Sequence, residues 1–333
     1  MKIKNLVFAL IAGIGVFSAC TKIEAPEQVN TKSISFVSAS EVKCVGEVFD
    51  GEELQYCGFV YSAQPAPEFE SDVIIPAPPT SRFEATLNNW DIEGNDPVYI
   101  RAFAMNSGGI TYGQEFQFPK IIDDEDFESS TWTSTSDTYE GYEYSFKTEG
   151  GYYKMTFNYP GHFQYEQKFL NLSSSSNYLM EINFKRIRDD PTYKDCHLYF
   201  GYGKSSSSVY YLIVEPGDDS YYIGFQNQDN WDWTEIKDWT KNYGLNGSAN
   251  NKLQIHKMES TYYFYINGSR VYTWNTSTII TPIIRLGVSN GEIWVDDYSI
   301  LKLTVGENLK SAEIKSTTTL FTSGEGKSIN KQN

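Results

Sequence analysis

The chain has 333 residues and a formal net charge of −16, with 25 Tyr, 20 Phe and 7 Trp. That length allows two domains and a sizeable core, while the acidity leaves too few Lys and Arg to neutralise a phosphate backbone, which excludes nucleic acid as a partner. No stretch after residue 20 shows a helical 3.6 period, and strand-favouring Tyr, Phe, Val, Ile and Thr dominate, so the expected fold class is all-β.

The first twenty residues read as a targeting segment. Lys2 and Lys4 form a basic start, and residues 6–17 are apolar but too short to span a bilayer. Ser18-Ala19-Cys20 follows. Small residues directly before a cysteine resemble a bacterial lipoprotein signal, in which Cys20 becomes the lipid-attachment residue. Phe17 departs from the Leu usual at that place, and an ordinary secretory leader is the alternative. The resemblance implies export and membrane anchoring without a spanning helix. Thr21, where an Asp would retain the protein at the inner membrane, implies the outer membrane or cell surface. Losing Lys2 and Lys4 with the leader takes the net charge from −16 to −18, a solvated acidic surface. Residues 21–32 are polar, include Pro26, and read as a tether.

Residues 33–119 read as a small β-sandwich, with strands at 33–37, 41–49, 54–62, 82–87, 98–106 and 112–118. The segment 64–79 holds Pro65, Pro67, Pro76, Pro78 and Pro79 and reads as a loop, with an edge strand at 73–75. Cys44 and Cys57 fall in adjacent predicted strands, and export would permit a disulfide between them. Two free buried thiols are the other reading. Cys196 has no evident partner, and no CxxC spacing suggests zinc. Gly58-Phe59-Val60-Tyr61-Ser62, Tyr99-Ile100-Arg101-Ala102-Phe103-Ala104, Asn106-Ser107 and Tyr112-Gly113 resemble the fibronectin type III-like module of Bacteroidota surface proteins. The resemblance implies an immunoglobulin-like spacer and places Trp90 in its core. It implies little about function.

Residues 120–126 (KIIDDED) read as a solvated linker. The second domain, 127–303, shows at least ten candidate strands separated by turn signals such as Gly150-Gly151 and Asn290-Gly291, which argues a two-sheet jelly roll. Asn267-Gly268 between two aromatic runs is a type I′ hairpin signal, since both central residues need positive φ. Adjacent Tyr210-Tyr211 and Tyr221-Tyr222 must each send one ring away from the core, giving one sheet face an aromatic stripe. His256 alternates with Leu253 and Ile255 and is expected at the surface. Residues 304–333 read as a flexible tail in which Leu320-Phe321 could dock.

The motifs NYLMEINFKR, VYYLIVEPGDDSYYIGFQN, TYYFYINGSRVYTW and IIRLGVSNGEIWVDDYSI, in this order, resemble a concanavalin A-like lectin/glucanase domain of the laminin G-like kind. That superfamily divides between sugar binding, glycoside hydrolysis and plain interaction. Hydrolysis needs two carboxylates on one face. Here Asn183 and Lys185 follow Glu181 where acids are required, and Glu292 and Asp296 have the wrong spacing. No nucleophile elbow or HExxH is present. Sugar rings stack on exposed aromatic faces, so the expected binding residues are Trp231 and Trp233, with Asp229, Asn230 and Asp232 as hydroxyl partners and Trp274 in second rank. Trp239 matches a position of the family and is expected to be structural. Such jelly rolls often hold structural Ca2+ near the domain ends, for which Asp124, Asp126 and Asp296, with Asp123 and Asp297, supply oxygens. The expected protein is a lipid-anchored, non-catalytic glycan-binding or adhesion module, needing no cofactor beyond that ion. Its partners are a polysaccharide, the membrane and other outer-membrane proteins. The alternatives are a glucanase-like glycoside hydrolase and a structural surface lipoprotein.

Overall fold

The computed structural model describes residues 23–306, apart from 39–40, 50–52, 91–96, 129–131, 133, 160–161, 190–194, 243 and 248, and a strand at Phe321–Lys327. Cys20 and the leader lie outside the described residues. Among the described residues all regular structure is strand.

Seven strands begin the chain: β1 Gln28–Ser38, β2 Glu41–Phe49, β3 Tyr56–Ser62, β4 Val73–Ala77, β5 Arg82–Asn88, β6 Val98–Asn106 and β7 Gly109–Phe118. Strands β1, β2 and β5 form one sheet, and β4, β3, β6 and β7 the other. Alternation drives the packing. In β5, Phe83 and Ala85 point inward while Arg82, Glu84 and Thr86 face water. Ile34, Phe36, Phe59, Ile100 and Phe118 fill the space between the sheets. Trp90 is 4% exposed and meets Phe36, Tyr61 and Phe118 edge-on, a core residue as expected. Cys44 on β2 and Cys57 on β3 lie in opposite sheets as free thiols, so the disulfide is not formed. Burial pushes their thiols up to about 12 and about 11, which keeps them protonated and inert.

The remaining strands are β8 Lys120–Glu125, β9 Thr135–Tyr139, β10 Tyr142–Thr148, β11 Tyr153–Phe157, β12 His162–Phe169, β13 Tyr178–Asp189, β14 His197–Lys204 and β15 Ser208–Glu215. After these come β16 Ser220–Asn227, β17 Trp233–Lys241, β18 Asn251–Met258, β19 Thr261–Ile266, β20 Ser269–Asn275, β21 Thr281–Ser289, β22 Gly291–Lys302, β23 Thr304–Gly306 and β24 Phe321–Lys327. One sheet has the order β20-β19-β18-β13-β22-β11-β10-β9, and its partner the order β17-β16-β15-β14-β21-β12-β24. Met180, Ile182, Ile255 and Phe264 of the first pack on Leu198, Phe200, Leu212 and Leu286 of the second. The β19–β20 hairpin turns at Asn267 and Gly268, with φ of 49° and 76°, as the Asn-Gly signal predicts.

Three segments expected to be irregular are structured. In the expected tether, Gln28 onward belongs to β1, and the carbonyls of Glu24 and Pro26 accept from the side chains of Asn106 and Thr111. The expected linker is β8, which pairs with β22 from Tyr298 to Lys302, just where β11 stops at Val295. Within the expected tail, β23 pairs with β1 and β24 with β12. The physical reason is common to all three. Joining a sheet edge uses backbone hydrogen bonds, so polar composition does not forbid it.

Strand β22 therefore leaves the second sandwich and continues as β23 into the first. Leu303 between them is fully buried, and its carbonyl accepts from Phe36 N–H at 3.1 Å. Leu179 of β13 and Val305 join the same core as Phe36 and Ile34.

Candidate ligand-binding face

Strands β14 and β15 are buried on both faces. The paired tyrosines divide as alternation requires. Tyr210 and Tyr221 enter the core between the sheets, while Tyr211 and Tyr222 join a separate cluster on the outer face of the seven-stranded sheet. That cluster also holds Phe163, Tyr165, Tyr199, Val209, Ile213 and Ile283. Phe163 of β12 and Tyr199 of β14 stack with centroids 4.1 Å apart, although β21 lies between their strands. Gly287 of β21 permits this. A Cβ there would stand 2.8 Å from the Gln164 carbonyl oxygen and 3.1 Å from the Phe163 ring.

Two half-buried tryptophans of edge strand β17 cap the cluster. The Trp233 ring lies 5.5 Å from Tyr211, 6.1 Å from Tyr222 and 6.2 Å from Tyr199. The Trp239 ring lies 5.7 Å from Tyr222 and 5.1 Å from His197. Each puts one side against buried rings, so the platform is rigid before any ligand arrives. Burial, with Glu235 and Asp238 nearby, pushes the Tyr222 hydroxyl well above its ordinary value, and it stays a neutral phenol.

The other expected binding residues do not gather here. Asp229, Asn230, Trp231 and Asp232 form the β16–β17 turn, and several of their polar groups bond within it. The Asp229 N–H donates to Asn227 Oδ1, Asn230 Nδ2 to Asp232 Oδ2 at 2.7 Å, and the Asp232 N–H to Asn230 Oδ1. Trp231 takes a positive φ of 64° at the turn and makes no ring contact among the described residues. Trp274 lies on β20 in the opposite sheet and packs on Tyr210 and Tyr262. Trp233 thus shares this cluster, through Tyr222, with Trp239, which the sequence had placed among the structural residues.

Arg285 on β21 is 3% exposed and sits beneath the cluster. Its Nε and Nη2 donate to Gln167 Oε1, and its Nη1 donates to the Tyr211 hydroxyl at 2.6 Å. A longer contact, 3.4 Å, runs from Nη1 to Gln228 Oε1. The guanidinium lies 3.7 Å from the centre of the Tyr165 ring. Sequence reasoning passed over Arg285. Its signal was a lone charge inside the apolar run Ile283-Ile284-Arg285-Leu286, since arginine is rarely buried without a partner. At the other end of the face, His197 Nε2 stands 3.5 Å from Glu215 Oε2, and its Nδ1 is 3.4 Å from Ser289 Oγ. Ser289 is fully buried, which removes it as a nucleophile for any substrate.

The acids weighed for catalysis belong to the other sheet. Glu181 alternates with the core residues Met180 and Ile182, so it faces outward there, held by Gln254 and Lys252, each at 2.8 Å. Asp296 lies on β22 of the same sheet, and its neighbour Asp297, named only for calcium, accepts from Asn183 at 2.6 Å, with burial raising the Asp297 carboxyl above the usual range. Glu292 accepts from the Trp294 indole and pairs with Arg188. None of these faces the tryptophan platform.

The acids named for calcium are also dispersed. Asp123 binds Lys168 at 2.7 Å, Asp124 is exposed opposite Ser299, and Asp126 Oδ1 accepts from the Glu128 N–H. Asp296 sits where the β13–β22 register slips. Among the described residues no three His, Cys, Asp or Glu side chains are placed to hold a metal ion.

No family model and no curated protein matches the chain. Solved structures similar to it include a family 16 endo-glucanase from Bacteroides ovatus, at 9% identity and a TM-score of 0.39, covering 54% of this chain and 100% of that one. A carbohydrate-binding module, CBM66 from Bacillus subtilis, aligns at 14% identity and 0.33 over 51% of this chain and 92% of its own. Sheep galectin-11 aligns at 12% and 0.31 over 39% and 93%. The likeness is one of all-β sandwich architecture and says nothing of what this chain binds.

Proposed function

We propose that the protein is an exported, lipid-anchored surface protein whose second sandwich binds a glycan without cleaving it. Trp233 and Trp239 form the stacking platform, and the first sandwich, with its fibronectin type III-like motifs, is the spacer that presents it. The carrying observation is the pair of half-buried indoles fixed on a fully buried tyrosine cluster. Sugar rings gain most from flat apolar faces whose rotamers are already locked. The anchor reading rests on the Ser18-Ala19-Cys20 pattern alone.

Trp233→Ala and Trp239→Ala are each expected to weaken polysaccharide retardation in affinity gels by about tenfold, or ~1.4 kcal/mol. Trp231→Ala is expected to change it far less. Melting curves of the same variants separate lost binding from lost folding. Retention of binding by both platform variants, or a loss confined to Trp231→Ala, would place the site elsewhere. Product analysis of the same mixtures tests the hydrolase alternative, since released sugar would mark an enzyme.

A further inference from the structure

The Arg285 site carries more than packing. A guanidinium 97% out of water is costly unless an anion compensates it, and its partners here, Gln167, Tyr211 and Gln228, are all neutral. Among the described residues no ion pair joins Arg285 to a carboxylate, and the faces of Tyr165 and Tyr211 also lie close to it. The charge is therefore held in place but not neutralised.

The geometry shows which edge is open. Gln167 occupies the Nε–Nη2 side of the fork with one oxygen. The terminal Nη1–Nη2 edge retains one N–H of Nη2 and the weak 3.4 Å contact to Gln228. Gln228 is only half-buried, follows β16 at the start of the turn, and is tied by its backbone N–H to the Ser207 carbonyl. Its Nε2 is buried with no hydrogen-bond partner. An entering oxyanion could replace the Gln228 oxygen on the guanidinium.

We propose that Arg285 selects an anionic glycan, gripping a carboxylate or sulfate ester on a sugar stacked against Trp233, with Gln228 as the displaceable plug. The cluster fits this assignment, because Trp233 and Arg285 both contact Tyr211, at 5.5 Å between rings and 2.6 Å to the hydroxyl. Charge-assisted, end-on pairing to an arginine fork is strong and geometrically selective. This proposal rests on the glycan-binding reading above.

The test uses the full chain with three polymers: a polyuronate, a sulfated glucan and a neutral β-glucan. Titration calorimetry at fixed salt is expected to show at least tenfold tighter binding of one anionic polymer than of the neutral one. Which polymer wins identifies carboxylate or sulfate. Arg285→Gln is expected to abolish that preference while weak neutral binding through Trp233 persists. Its melting temperature without ligand is expected to hold or rise, because an uncompensated buried charge is gone. Gln228→Ala is expected to retain the preference and to bind the anionic polymer at least as tightly. Equal binding of all three polymers by the unaltered chain would overturn anion selection and leave the glycan reading intact. A preference that survives in Arg285→Gln, or an Arg285→Gln chain that only unfolds while Gln228→Ala loses the preference, would also overturn it. Binding of no polymer would overturn both readings.

Discussion

Asp123→Ala is expected to lower the free energy of unfolding by about 3–5 kcal/mol. Asp123 Oδ1 accepts from Lys168 Nζ at 2.7 Å, and Oδ2 accepts from the Tyr298 hydroxyl at 2.9 Å. Lys168 also donates to that hydroxyl, and the Trp132 indole N–H reaches it at 3.4 Å. The ion-pair side chains are 11% and 19% exposed, so water cannot take over the role of the lost carboxylate. Lys168 is on β12 and Asp123 on β8, which makes the pair the polar clasp between the two sheets. Urea unfolding measures the loss. Asp123→Asn should cost less, and adding Lys168→Met to Asp123→Ala should recover much of the deficit, since the stranded charge is then removed. A loss below about 1 kcal/mol would mean that the pair behaves as a solvated surface bridge.

The second large effect is one of pH. His256 is 4% exposed, its ring stacks on Tyr265 at 4.4 Å, and its Nε2 is buried without a hydrogen-bond partner. Burial lowers its pKa from 6.5 to about 4. The unfolded chain therefore takes up a proton below pH 6.5 that the folded chain refuses until about pH 4. More protons on the unfolded state mean that stability rises with pH across this window. The contribution of His256 is complete above pH 6.5 and is lost as pH falls toward 4, by about 3 kcal/mol in all. In His256→Gln the extra loss should vanish. The difference in unfolding free energy between the two proteins should slope between pH 4 and 6.5 and flatten above 7. A difference independent of pH would show that His256 is solvated.

These residues also mark where the sequence was legible. Period-two alternation gave the strands and both faces of Tyr210-Tyr211 and Tyr221-Tyr222, because a buried sheet writes its pattern into every second residue. Asn267-Gly268 gave its turn because few residues tolerate positive φ. Asp123 was misread because KIIDDED shows only local charge, while the lysine that claims one of its acids is 45 residues away. His256 was misread because alternation tells which face a residue takes but not whether that face is covered. Met258 and Leu301, which share its sheet, pack toward the first sandwich. On the candidate face, aromatic richness pointed to Trp233 directly. The pairing with Trp239 depends on the irregular β16–β17 register and on Tyr222, which both rings meet, and Arg285, a lone charge in an apolar run, gains its meaning when its partners prove to be neutral.

The passage of β22 into β23 has a consequence for biosynthesis. The sheet begun by Gln28–Ser38 receives its last strand from Thr304–Gly306. A chain made from its N-terminus cannot finish that sheet until Thr304–Gly306 has emerged, about 270 residues after β1. The first sandwich must wait with an open edge and with the places of Leu303 and Val305 unfilled. Such a non-local closure is slow, and the waiting intermediate is the species most exposed to misassociation. Completion of the second sandwich is what delivers the missing strand, so maturation of the N-terminal part becomes a report that the C-terminal part has folded.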